Sequence, residues 1–226
     1  MTTDEEKVVS GGVSGELKVF DIETKKETLC FKKDLKQINC IKATIEDNLV
    51  LTCGSNKMIQ LWDFKDKNEQ IRINCNDYGS LYSLAIPSDY KVLQYKNLLK
   101  QNISNNKSGS VSINKTSCYV SCADGTILEW DFRYTSKPVN MIKAHSFCCG
   151  SIDIFPTTSY LVSASYDKTV SIVDTKKFKT LNVFKHHKER VTSAEWHPFF
   201  PIILSCSADK TIKLMGSMKF LSQHSG

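Results

Sequence analysis

One pattern recurs five times along this chain, and recurrence at a fixed period confines a sequence to repeat architectures. The copies end in VSGGVSGELKVFDI, LTCGSNKMIQLWDF, VSCADGTILEWDF, VSASYDKTVSIVDT and LSCSADKTIKLMGS. Aligned on the tryptophan of LWD, their anchors are Phe20, Trp62, Trp130, Val173 and Met215, spaced by 42, 68, 43 and 42 residues. The long spacing is one normal repeat plus an insertion of 26 residues.

The columns around the anchor obey strand chemistry. Six positions before it stand Ser14, Asn56, Asp124, Asp167 and Asp209. All are turn formers, and a following Gly15, Gly125, Lys168 or Lys210 completes a tight reversal. Three before the anchor stand Leu17, Ile59, Ile127, Val170 and Ile212; one before it, Val19, Leu61, Glu129, Ile172 and Leu214. Residues two apart share one face of a strand, so each repeat holds a hairpin whose second strand ends at the anchor. An earlier strand precedes the hairpin: CGSIDIFP and VTSAEWHP match position by position, and INCIKA and LYSLAIP fill the same slot. A weaker fourth strand follows, as in KETLCF and KTLNVF. No helical period runs through these segments.

Four short antiparallel strands in a repeat of about 42 residues make one propeller blade. The expected fold is therefore all-β, a single β-propeller domain over residues 1–226. Its blades fall at about 1–33, 34–76, 77–143, 144–185 and 186–226. The insertion, roughly 88–116, lies inside the third blade. Its YKVLQYKNLLK part has apolar residues at helix-like spacing, which reads as a partner-docking helix or as a solvated loop expansion. The Asn/Ser/Lys-rich remainder is expected to be disordered. Asn102 and Asn114 open glycosylation acceptor patterns that are expected to stay unmodified.

These residues resemble the WD40-repeat family over nearly the whole chain. LWD at 61–63 and EWD at 129–131 match its namesake dipeptide, and His145 and His187 each stand 28 residues before their anchor, where the family has Gly-His. The resemblance implies a hydrogen-bond network of His, Ser or Thr, turn Asp and Trp inside each blade. Its candidates are His145, Ser163 and Asp167 in the fourth repeat, His187, Ser205 and Asp209 in the fifth, and Trp62 and Trp130 in the second and third. Val173 and Met215 replace Trp where the His is kept, and Asp34 and Asp77 stand where His belongs where the Trp is kept. No repeat holds all four members, so moderate stability is expected. Family rings commonly have about seven blades, and five are visible here. The first repeat begins at its second strand and the last loses the pattern at Met215, so the ring is expected to be incomplete or open. It is either a truncated part of a longer propeller or an open one completed by a partner chain, as in nuclear-pore and vesicle-coat subunits.

The function classes narrow by exclusion. His187, Ser205 and Asp209 invite a hydrolytic triad, but His145, Ser163 and Asp167 recur at the same offsets and so read as structural parts. No catalytic, phosphate-binding or metal-ligand motif is present, so neither enzyme activity nor a cofactor is expected. The nine cysteines have no CxxC pair and several lie in apolar strands, which reads as reduced thiols. The net charge of +6 is scattered, so direct nucleic-acid binding is not expected. No apolar run approaches the roughly 20 residues of a membrane span, and no signal-peptide pattern appears, which reads as a cytoplasmic or nuclear protein.

A non-enzymatic scaffold binding protein partners is the expected function. By resemblance, the binding rim is formed by the loops before each first strand and by the hairpin turns. That places Phe147, Tyr166, Lys188, Glu189 and Arg190 there. A second dock is implied by WDxR at 130–133: Asp131 and Arg133 resemble the motif by which some family members attach to the DDB1 adaptor of cullin-4 ubiquitin ligases, as substrate receptors.

Overall fold

The computed structural model describes residues 7–32, 36–43, 49–64, 67–87, 117–155, 158–198 and 200–216. The proposed insertion helix, both glycosylation patterns and Asp34 lie outside them. The described residues form five antiparallel sheets, each built from consecutive strands in chain order. Blade one is β1 (Lys7–Gly11), β2 (Leu17–Asp21) and β3 (Glu27–Phe31). Blade two is β4 (Ile38–Ala43), β5 (Leu49–Gly54), β6 (Met58–Asp63) and β7 (Asn68–Asn74). Blade three is β8 (Leu81–Ala85), β9 (Ser117–Cys122), β10 (Thr126–Asp131) and β11 (Asn140–Lys143). Blade four is β12 (Cys149–Ile154), β13 (Tyr160–Ser165), β14 (Val170–Asp174) and β15 (Lys179–Phe184). Blade five is β16 (Val191–Trp196), β17 (Ile202–Ser207) and β18 (Ile212–Gly216). Three blades are thus four-stranded and the two end blades three-stranded among the described residues. No described helix is long and apolar enough to cross a membrane.

The hairpin turns show why the turn column reads as it does. Asp124, Asp167 and Asp209 each accept, on Oδ1, the backbone N–H two residues on, at 2.9, 3.0 and 2.9 Å. Asn56 and Ser14 do the same for Met58 and Glu16. The next residue is left-handed in every blade: Gly15, Lys57, Gly125, Lys168 and Lys210 have φ between 61° and 89°. At Gly125 the constraint is also spatial. A Cβ there would sit 2.4 Å from the carbonyl oxygen of Phe147 and 2.5 Å from that of His145, so only glycine fits.

Packing between blades repeats as faithfully as the hairpins. The Leu17/Val19 face of blade one meets Val50, Trp62 and Phe64 of blade two. The Ile59/Leu61 face of blade two meets Leu84, Val120 and Trp130 of blade three. Ile127 of blade three meets Ile152 and Val173 of blade four, and Val170 and Ile172 of blade four meet Ala194, Trp196 and Met215 of blade five. The core is therefore four seams between five blades, each sealed by the face that the two-residue alternation marks as apolar. Glu129 falls on that face yet is buried; its carboxylate accepts from the Tyr119 hydroxyl at 3.1 Å and the Asn140 amide at 2.6 Å.

Candidate protein-docking rim

The internal network is split between blades. Blades four and five keep the histidine half. His145 Nε2 lies 2.8 Å from Ser163 Oγ and its Nδ1 3.1 Å from Asp167 Oδ2. His187 repeats this at 2.8 Å to Ser205 and 2.9 Å to Asp209. Blade two keeps the tryptophan half: Trp62 Nε1 donates to Thr52 Oγ1 at 2.9 Å. Thr52, Ser163 and Ser205 all stand ten residues before their anchors. In blade three that position is Val120, and the buried Trp130 indole N–H has no partner. Asp77, in the slot of a missing histidine, sits in a short 3-10 turn, Asn76–Tyr78.

Serine, histidine and aspartate at these distances have the geometry of a nucleophile with its base. Neither serine is open to solvent, because Ser163 and Ser205 are fully buried. A neutral imidazole satisfies the His145 site: Nδ1–H donates to the Asp167 carboxylate and Nε2 accepts the Ser163 hydroxyl. Burial holds the His145 imidazole below its usual range, against the opposing pull of Asp167.

The network also shapes the surface. Asp167 Oδ2 accepts the backbone N–H of Ser146 at 3.0 Å, and Asp209 Oδ2 that of Lys188 at 2.9 Å. A second tie closes the same corner: Tyr166 N–H donates to Cys148 O and Ala208 N–H to Arg190 O, both at 3.0 Å. Each loop before a first strand is thus bound to the hairpin turn of its own blade. Phe147 and Glu189 are the residues held between the two ties.

Four rim residues converge over the seam between blades four and five. The Arg190 guanidinium lies 5.4 Å from the Tyr166 ring centroid, a cation–π contact. Lys168 Nζ pairs with Glu189 at 3.5 Å. Tyr166 rests on Gly150, where a Cβ would come within 3.2 Å of the ring. Phe147, in the loop before β12, is 65% exposed, and Tyr166 is 38% exposed. Of the five rim residues expected from the sequence, Tyr166, Glu189 and Arg190 meet, Phe147 stands in the tied loop, and Lys188 is anchored through its backbone. Lys168, Gly150 and Tyr82, which contacts Cys148, are additional. Lys168 was legible as a turn residue; the stacking role of Gly150 was not.

Arg133 lies elsewhere, beyond the end of β10 that is opposite the hairpin turn. Its Nε donates to both oxygens of Asp131 at 2.9 Å, its Nη2 contacts the same carboxylate, and its backbone N–H donates to Asp131 Oδ1. Asp21 and Asp174 cap their own turns in the same position.

A family model described as "WD domain, G-beta repeat" matches residues 26–63, 136–174 and 178–214, together half of the chain. The repeats it passes over are the first, ending at Phe20, and the third, which the insertion splits. No curated protein matches the chain.

Proposed function

The chain belongs to the WD40 repeat family, and from that premise we propose that it is a non-enzymatic scaffold that docks protein segments on the rim of blades four and five. The observation that supports this is the pre-ordered cluster of Tyr166, Arg190, Lys168 and Glu189, with the exposed Phe147 in the loop tied to the same turn. Exposed aromatics with a stacked arginine favour an acidic segment carrying an aromatic or aliphatic residue. The carboxylates of Asp167 and Asp209 are occupied internally, so Lys168, Lys188, Arg190 and Lys210 outweigh Glu189 at the surface. Panning a random-peptide display library on the full chain tests this. Acidic peptides should be enriched, and Arg190→Glu should weaken them at least tenfold with an unchanged circular-dichroism spectrum. Enrichment of basic peptides, or binding indifferent to Arg190→Glu, would count against the rim. Arg133, which a DDB1 dock would need, is already engaged by Asp131 and does not favour that role.

A second reading, completion by a sheet from another chain, rests on blade five. Ile212 and Leu214 are 70% exposed and Leu204 is 50% exposed. The columns of Ile212 and Leu214 in blades one to four are buried in seams by the following blade. A contiguous apolar sheet face of this kind marks an interaction surface. Replacing Ile212 and Leu214 with Glu should abolish binding of a dye for apolar surfaces and change stability by no more than about 0.5 kcal/mol. A large drop in melting temperature would mean that this face is already packed.

A further inference from the structure

The seam between blades two and three is rich in sulfur. Cys53, Cys75, Cys118 and Cys122 are buried in its apolar cluster, with Cys40 packed against it. All are free thiols. Cys40 is directly opposite Cys53 in the β4–β5 ladder. Among the described residues no other two cysteines face each other across a ladder. Opposed residues of an antiparallel pair have Cα atoms roughly 4.5–5.5 Å apart, inside the window of about 4.4–6.8 Å that a disulfide needs. Cys40 is also the accessible member, partly buried where Cys53 is fully buried.

We propose that Cys40 is a peroxide-reactive modification site whose oxidised form closes onto Cys53 as a disulfide within blade two. The Cys40 thiolate attacks one oxygen of a hydroperoxide. The O–O bond breaks, the sulfur is oxidised by two electrons to a sulfenic acid, and hydroxide leaves when the oxidant is hydrogen peroxide. Cys53 sulfur then attacks Cys40 sulfur, the S–O bond breaks, and the oxygen departs as water with the Cys53 proton.

The surroundings suit both steps. Hydrogen bonding by Cys53, by the Leu84 N–H and by the Ser83 hydroxyl of β8 favours the Cys40 thiolate, and Lys42 adds positive charge. The Cys53 hydrogen bond, first of these, holds the Cys40 thiol below the usual range even against its burial. Cys53 is pushed well above that range, chiefly by burial, and then by Cys40 and by Cys118 and Cys122 of β9, which face it. The pair therefore divides into a nucleophile and a proton-bearing partner. Closing the disulfide removes the thiolate that accepts from Leu84, which couples oxidation to the packing of blade two on blade three.

Limited hydrogen peroxide treatment of the folded full chain, followed by non-reducing tryptic mass mapping, tests this. The expected result is a loss of about 2 Da, located in cross-linked peptides 37–42 and 43–57. Cys53→Ser, which keeps a hydrogen-bond donor but cannot form the disulfide, should instead accumulate a sulfenic acid on Cys40 that dimedone traps. In a separate assay at pH 6, iodoacetamide should alkylate Cys40 about tenfold faster than Cys30 and Cys206, two of the three other partly exposed thiols. Cys40 left reduced while other thiols oxidise, or alkylated no faster than Cys30 and Cys206, would overturn the assignment.

Discussion

Alanine in place of Trp130 is expected to remove about 3–5 kcal/mol of stability, a large share of the roughly 5–15 kcal/mol that holds a domain together. Trp130 is fully buried in the seam of blades two and three, against Leu61, Leu84 and Phe132. Its loss leaves a cavity that two sheets, each tied into its own ladder, cannot collapse to fill. The more discriminating comparison is phenylalanine at two equivalent anchors. Trp130→Phe should cost less than Trp62→Phe. The Trp130 indole N–H has no partner because Val120 stands where Thr52 serves Trp62. Removing the Trp62 ring nitrogen also strands the buried Thr52 hydroxyl, a penalty of about 1–3 kcal/mol. Urea unfolding of the three variants checks this. Equal costs for the two phenylalanines would mean that the Trp130 nitrogen is bonded after all.

Alanine in place of His145 should cost about 2–4 kcal/mol. The loss leaves the fully buried Ser163 hydroxyl without its imidazole and removes the Asp167 partner. The same substitution loosens the rim, because Asp167 holds Ser146 next to Phe147. Acid should act on this site in two stages. The folded His145 imidazole resists protonation, whereas the unfolded one takes up a proton below about pH 6.5. The unfolded state therefore binds more protons there, and stability falls as the pH drops below that value. Asp167 is held below the usual carboxylate range despite its burial, by the Thr169 hydroxyl and by His145. Asp209 is held low first by the Thr211 hydroxyl. Both contributions are present above the unfolded carboxylate pKa and are lost as the pH falls through it and on toward the folded values. Melting temperature against pH should show both limbs, and His145→Ala should flatten the first. A flat profile between pH 6.5 and 5 would mean that the folded histidine is charged.

The fold was largely legible because its signals are short-range. The turn column predicted all five hairpins, and the left-handed lysines at 57, 168 and 210 show how strongly that turn is specified. The network was legible only in part. Position assigned His145, Ser163 and Asp167 together, and their distances agree. Val120 stands ten residues before Trp130 in the sequence, but that the Trp130 indole N–H is buried without a partner among the described residues is seen only in the structure. The rim residues were nameable from their loop and turn positions, but the stacking of Arg190 on Tyr166 crosses a seam. Arg133, read from the WDxR pattern as a docking residue, is folded back on its own turn aspartate.

Alternation of side chains, turn chemistry and the spacing of anchors were determined by the sequence alone, because each depends on residues only a few positions apart. Burial was decided by the tertiary structure. Ile212 and Leu214 carry the same pattern as Val170 and Ile172, yet one pair lies open and the other is sealed. The reason is physical: a sheet face leaves water only when another sheet lies on it, and no strand's own residues encode which neighbour that will be.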